Sequence, residues 1–284
     1  MGDGPYPSPS ALLRKYGLRP KKSWGQNFLS DGEALEAIAR LAVERPGERV
    51  VELGAGLGHL TARLVARGAE VVAVERDRDM ARVLRGELAG RIELLEADAA
   101  SLDYRALAPR GRLAVAGNLP YHLTSPILFG LLEVAEIVVR AVFLVQAEVA
   151  ERLSASPGER AWGLLSVLLQ RRAAVTLERR VPRGAFVPPP RVDSAVLRIV
   201  FGEPRAAVLS EARFRRLVKA GFAQRRKVLA NALAAARLAP APRMAEALAA
   251  AGIDPRRRGE TLAVEEWAAL ERALGEEAVV EGRA

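Results

Sequence analysis

The chain has 284 residues, half of them hydrophobic and 27% charged, which suffices for one large core plus a small appendage and argues against global disorder. It has no cysteine and two histidines, His59 and His122, so disulfides, thiolate nucleophiles, cysteine-ligated zinc and multi-histidine metal sites are excluded. The formal net charge of +9 suits a polyanionic partner, although an arginine- and alanine-rich composition also follows from a GC-rich genome or a hot habitat.

Residues 1–25 read as a basic arm. Arg14, Lys15, Arg19, Lys21 and Lys22 stand against one acid, Asp3, and four prolines make the arm irregular apart from a short helix near Leu12. Ser30 opens a capping box with Glu33 and starts an amphipathic helix through Leu35, Ile38, Ala39 and Leu41. Strands and helices then alternate: strand 49–53, helix 59–66 stopped at Gly68, strand 70–74, helix 80–88, strand 92–96, strand 113–116, a helix begun by Ser125-Pro126, and strand 138–145. This order requires a mainly parallel sheet with helices on both faces. Two further strands, 174–181 and 192–201, flank a proline-rich loop. From Gly202-Glu203-Pro204 onward only helical patterns remain. The expected organisation is the arm (1–25), an α/β catalytic domain (26–202) and a small all-helical domain (203–284). No apolar run is long enough to cross a bilayer, and the first residues lack a secretory signal. A cytoplasmic protein with no membrane partner is expected.

The first candidate motif is V-V-E-L-G-A-G-L-G, with Glu52, Gly54, Gly56 and Gly58 between a strand and a helix. Glycines there allow a tight turn and a close approach of ligand to backbone. The spacing is not that of dinucleotide binders, which present a helix N-terminus to a pyrophosphate; a methionine-like group lies along the loop instead. A purely structural turn is the alternative. The next strand ends at Glu75, where a carboxylate can accept both ribose hydroxyls, or be one more surface acid of E-R-D-R-D. The third strand ends in E-A-D-A, and its Asp98 and Ala99 are candidates for the adenine end, Asp98 accepting from the amine. Three such sites at successive strand ends point to S-adenosylmethionine rather than a nicotinamide.

The fourth strand ends in G-N-L-P-Y, 117–121. An adenine amine is a poor nucleophile, because its lone pair is delocalised into the ring. Two acceptors bonded to its hydrogens favour a pyramidal nitrogen with a freer lone pair. The Asn118 side-chain carbonyl can be one acceptor and the Leu119 backbone carbonyl the other, with Pro120 fixing the chain's direction. Tyr121 can stack on a flipped base and favour a passing sulfonium. Phe186 can supply the second face of that sandwich or be a core residue. No base of shifted pKa and no metal is needed, and His122 reads as structural or surface. In the tail, Arg213, Arg215, Arg216, Lys219 and the run Arg225, Arg226 and Lys227 form a candidate phosphate surface with R-R-R at 256–258; a solvated helix face is the alternative.

Together these motifs resemble the ribosomal RNA adenine dimethylases, most closely the bacterial small-subunit type. The likeness runs from about Arg14 to Leu274 and includes K-K-S-W-G-Q-N-F-L (21–29), V-E-R-D (74–77), Q-A-E-V-A-E-R-L (146–153), A-F-V-P-P-P-R-V-D-S-A-V (185–196) and F-A-Q-R-R-K-V-L-A-N-A-L (222–233). The resemblance implies a Rossmann-like class I S-adenosylmethionine-dependent methyltransferase sheet with a small C-terminal all-helical domain. It implies cofactor contacts at Asn27, Leu29, Gly54, Glu75, Asp98 and Asn118, with Gln26 close by, and a target adenine held by Asn118, Leu119, Tyr121 and Phe186. It implies as substrate two adjacent adenosines in a hairpin near the 3′ end of 16S rRNA, each dimethylated on the amine within the small ribosomal subunit. A role in ribosome biogenesis, RNA contacts from Lys21, Lys22 and the tail, and a monomer follow as expectations. Trp24 stands where leucine is common and Ala55 where proline often follows the first glycine. The rival readings are a large-subunit adenine methylase of the antibiotic-resistance type, and a non-catalytic assembly or transcription factor. An idle homologue would have lost Glu75, Asp98 or Asn118, and all three are present.

Overall fold

The computed structural model describes residues 6–21, 24–109, 111–120 and 123–275. They form two compact units: one takes the chain up to Ala150 together with Ala174–Gly202, the other takes Glu151–Ala173 together with the chain from Glu203.

The arm begins with α1 (Pro9–Tyr16), capped by the Ser8 side chain and ended by Gly17 in the left-handed region. It buries Leu12 and Leu13 with Phe28, Leu57, Met80 and Val83, so the short helix expected near Leu12 packs the basic arm into the first unit. After β1 (Phe28–Leu29) comes α2 (Gly32–Ala42). Its N-cap is Asp31, which accepts from the backbone N–H of Glu33 and Ala34, and not the expected Ser30. Ser30 is committed elsewhere: its backbone N–H and its hydroxyl both donate to the Ala185 carbonyl at 2.8 Å.

The alternation follows as β2 (Arg49–Leu53), α3 (His59–Ala66), β3 (Glu70–Val74), α4 (Arg78–Glu87), β4 (Glu93–Leu95), β5 (Leu113–Asn118), α5 (Thr124–Glu133) and β6 (Val138–Gln146). Helix α5 starts at Thr124, which puts Pro126 inside the first turn instead of at its first position. The chain continues through α6 (Ala147–Ser154), α7 (Leu164–Arg172), β7 (Ala173–Val181), β8 (Phe186–Val187) and β9 (Ser194–Phe201). Among the described residues the main sheet has seven strands in the order β4-β3-β2-β5-β6-β9-β7. Strands β2 to β6 are parallel, and β9 runs antiparallel to β6 with Arg140 opposite Val200 and Gln146 opposite Ser194. The runs 71–74, 114–116 and 141–145 are buried throughout, as strands covered on both faces require. The order reverses at β2: β3 and β4 lie on one side, β5 and β6 on the other. Connections diverge there, and a crevice opens beyond the carboxyl ends of β2 and β5.

The second unit continues with α8 (Glu211–Ala223), α9 (Leu229–Ala236), α10 (Ala241–Ala250) and α11 (Val264–Leu274). The expected boundary near residue 202 left 151–173 with the sheet, whereas these residues cluster with the tail. Long-range bonds account for it. The Trp162 indole N–H donates to the Leu262 carbonyl at 3.1 Å. Arg171 pairs with Glu211 and donates to the Ala206 carbonyl at 3.0 Å. Buried Glu271 accepts from the backbone N–H of Leu209 and Ser210 and from Arg213 Nε, and a buried carboxylate needs such partners.

Candidate active site

A cavity of about 350 Å³ opens at the carboxyl edge of the sheet. Its walls include Gln26, Asn27, Leu29, Glu52, Gly54, Gly56, Glu75, Asp98, Ala99, Asn118, Leu119, Pro120 and Phe186. The structure therefore gathers the described residues named above for cofactor or adenine into one place, except Gly58 of the glycine motif, which packs near Tyr6, Leu84 and Leu88. Tyr121, His122 and Lys22 lie outside the described residues.

The backbone explains why the glycines stand where they do. Gly56 has φ +56°, and its N–H donates to Glu75 Oε2 at 2.8 Å. A side chain at Gly117 would put its Cβ 2.5 Å from the Leu53 carbonyl, so glycine alone lets β5 approach the end of β2 so closely.

Three carboxylates face different circumstances. Glu75 is buried, with one oxygen on Gly56 N–H and the other on Asp77 N–H at 2.7 Å. Burial raises its pKa, and those two donors counter the rise. Each oxygen keeps acceptor capacity for a diol. Glu52 is also buried, and its Oε2 has no hydrogen-bond partner among the described residues. Burial pushes this carboxyl up to about 8 against the pull of neighbouring Thr61. Such an acceptor suits a cationic group. Asp98 caps the short 3-10 turn Ala99–Ser101 by accepting from the Ala100 N–H at 3.0 Å, and its other oxygen accepts from Arg76 Nη1 at 2.7 Å.

Asn118 donates through Nδ2 to the Asn27 carbonyl at 3.0 Å. A carbonyl only accepts, so this bond fixes which end of the carboxamide is which and leaves Oδ1 as the acceptor. Leu119 is buried, with its N–H on the Leu144 carbonyl at 3.1 Å. Phe186 lies opposite Leu29 in the β1–β8 pairing and is 3% exposed, at once a core residue and part of the cavity wall. Gln26 holds its own segment in place, accepting from the Lys21 N–H and donating to Asp77. His59 Nε2 lies 2.9 Å from the Pro7 carbonyl, and burial lowers its pKa. Among the described residues no cluster of three or more His, Asp or Glu could hold a metal ion.

The candidate RNA contacts divide. Lys21 pairs with Asp77 and Asp79, both at 2.7 Å. Arg225 is tied to Glu260 at 3.0 Å and to the carbonyls of Arg160 and Trp162. Arg226 and Lys227 are exposed. Among the wall residues that the sequence reading did not name for the site are Trp24, partly exposed, and Arg76, whose guanidinium carbon sits 4.7 Å from the Trp24 ring centroid. The available signal for Arg76 was its position between two strand-end acids, Glu75 and Asp77.

A mainly parallel sheet with a glycine loop after β2, an acid after β3 and an asparagine closing β5 defines a class I methyltransferase. The model of the family described as ribosomal RNA adenine dimethylase matches residues 17–275, and the chain belongs to that family. It is 67% identical over 280 residues to the Ribosomal RNA small subunit methyltransferase A of Anaeromyxobacter dehalogenans strain 2CP-C, covering 95% of this chain and 99% of that protein. With the protein of the same name from Myxococcus xanthus it shares 53% over 270 residues, 94% and 95% of the two chains. Among solved structures, the 23S rRNA methyltransferase ErmE superposes with TM-score 0.70 at 30% identity, over 88% of this chain and all of that one. A dimethyladenosine transferase from Plasmodium falciparum, 23% identical over 86% of this chain and 95% of the other with TM-score 0.68, shares the fold. Fold and family imply S-adenosylmethionine as the methyl donor. The cavity fits it: one unpaired, buried carboxyl oxygen of Glu52 for the cationic amino group, a diol acceptor at Glu75 and an acid at Asp98.

Proposed function

We propose that this protein dimethylates the N6 amines of two adjacent adenosines in a hairpin near the 3′ end of 16S rRNA, within the small ribosomal subunit, as a step in ribosome biogenesis. The observation that carries the reading is the 67% identity, spanning 99% of its length, to a relative named for small-subunit methylation, against 30% for the large-subunit enzyme of similar fold.

The residues divide the work. Gly54, Gly56, Asn27 and Leu29 line the methionine part of the cofactor, Glu52 receives its amino group, Glu75 the ribose hydroxyls, and Asp98 and Ala99 the adenine. Bound S-adenosylmethionine supplies an activated methyl and leaves as a neutral thioether. Asn118 Oδ1, oriented by the bond to Asn27, accepts one hydrogen of the target amine, and the Leu119 carbonyl accepts the other. Pro120 holds that carbonyl's direction. Tyr121 and Phe186 stack on the base, a contact worth about 1–3 kcal/mol. The methylated amine is acidic enough to lose its proton to water, so no side chain has to act as base and no metal is called for. Exposed cations of the helical unit, Arg226 and Lys227 foremost, neutralise phosphates. The protein works as a cytoplasmic monomer on the ribosomal particle.

Dimethylation removes both hydrogens of the amine and blocks pairing, so reverse transcription stops at the product. Incubation of unmethylated small subunits with the protein and S-adenosylmethionine should create a stop at a pair of adjacent adenosines near the 3′ end. Full read-through there would refute the assignment, and stops confined to large-subunit RNA would establish the resistance-type activity instead.

A further inference from the structure

We propose that Trp24 and Arg76 form a stacked rim that positions Asp98 to select an adenosyl cofactor, making both specificity-determining positioning residues. The inference rests on the reading of the cavity as a nucleoside site.

Trp24 keeps 37% of its surface in contact with solvent, among few large hydrophobic side chains to do so, and it does so at the cavity wall. Cations hold its ring: Arg76 at 4.7 Å from the centroid and Lys21 Nζ at 5.3 Å. Lys21 is anchored in turn by Asp77 and Asp79. Arg76 also reaches Asp98, Nη1 to Oδ2 at 2.7 Å, while Asp98 Oδ1 is fixed by the Ala100 N–H. The 21–24 segment thus bears on the Asp98 carboxylate through Arg76.

The chemistry gives this arrangement a purpose. A guanidinium on one oxygen of Asp98 and a backbone N–H on the other hold the carboxylate in one orientation. An ionised carboxylate only accepts hydrogen bonds. It therefore favours the 6-amino group of adenine and repels the 6-oxo group of hypoxanthine. A guanidinium has many rotamers, and stacking on a flat indole restricts them. Without Trp24, Arg76 is free to turn to solvent and Asp98 loses its brace.

The test compares binding of S-adenosylhomocysteine and its deaminated form, S-inosylhomocysteine, by calorimetry in the wild type and in Trp24→Phe, Trp24→Ala and Arg76→Gln, each checked by thermal melting. The wild type should prefer the adenosyl form. The preference should shrink about two- to tenfold in Trp24→Ala and Arg76→Gln, the scale of a lost cation–π contact, and persist in Trp24→Phe, which keeps a flat ring. Trp24 also reports on itself, because Trp162 and Trp267 are fully buried. Iodide quenching of tryptophan emission should fall when the adenosyl ligand binds. An unchanged preference in folded Trp24→Ala and Arg76→Gln, or quenching that the ligand does not alter, would overturn the rim. A wild type that binds both ligands equally would remove Asp98 as the selector and the rim with it. Binding of neither ligand would instead defeat the nucleoside reading of the cavity, on which the rim depends.

Discussion

The first unit ties its site groups to the backbone, while the second leaves cations in water. Asn118 is held by the Asn27 carbonyl, Glu75 by Gly56 and Asp77, and Asp98 by Ala100. In the second unit Arg226 and Lys227 are exposed on the turn after α8. Transfer to a weak nucleophile needs acceptors fixed before the substrate arrives. Phosphate neutralisation needs only charge within reach. The arm, which by composition looks like the tail, falls on the first side of this divide: Lys15 pairs with Glu87 at 2.6 Å and Lys21 with Asp77 and Asp79. A run of cations in sequence is a phosphate surface only where no acid packs against it.

The largest effect should come from the most tightly organised group. Asn118→Ala should lower kcat by about a hundredfold to a thousandfold, the usual scale for one preorganised polar group, while shifting cofactor affinity less than about tenfold, or 1.4 kcal/mol. A single-turnover assay beside calorimetry separates the two, and near-normal turnover would break the comparison at its firmest point.

The pH dependence of stability comes next. The Glu52 carboxyl is raised to about 8 in the folded protein, far above its ordinary value near ~4.3. Between those values the folded state binds the extra proton, so stability is full at low pH and is lost as pH rises toward 8. The melting temperature should fall across that window, Glu52 alone contributing at most about 1.4 kcal/mol of stability per pH unit. Glu75 is raised in the same direction, so Glu52→Gln should reduce the slope without abolishing it. Melts of Glu52→Gln that track the wild type at every pH would contradict a buried, destabilised carboxylate.

Glu75→Ala should weaken cofactor binding by about 1.5–3 kcal/mol, the value of a charged hydrogen bond, and calorimetry reads it directly. The smallest effects sharpen the contrast between arm and tail. Arg226→Ala with Lys227→Ala should leave the melting temperature alone and reduce the slope of log K against log salt by about one unit per phosphate contact. Lys21→Ala should leave that slope unchanged and cost ~1 kcal/mol or less of stability. Exchanged outcomes would reverse the assignment of the two surfaces.

Much of the sheet was legible in the sequence, because buried parallel strands contain unbroken apolar runs, such as 71–74 and 113–116, closed by an acid or a glycine. The strand-end motifs carried the site with them, since spacing along the chain becomes adjacency at the carboxyl edge of such a sheet. What was illegible depends on distant pairing. Strands β1 and β8 are two residues each, too short for any periodicity, yet they seat Leu29 against Phe186. The cap at Asp31 instead of Ser30 follows from a partner at Ala185. The grouping of 151–173 with the tail rests on Trp162 meeting Leu262 and Arg171 meeting Glu211. Arg225 looked like its neighbours Arg226 and Lys227 until Glu260 was seen beside it.

The central claim is tested most directly by transfer of labelled methyl groups from S-adenosylmethionine to unmethylated small subunits, with large-subunit RNA in parallel, followed by mass analysis of the digested nucleosides. The account predicts N6,N6-dimethyladenosine from the small subunit alone, with the label lost in Asn118→Ala. Label confined to large-subunit RNA, or absent from both substrates, would contradict it.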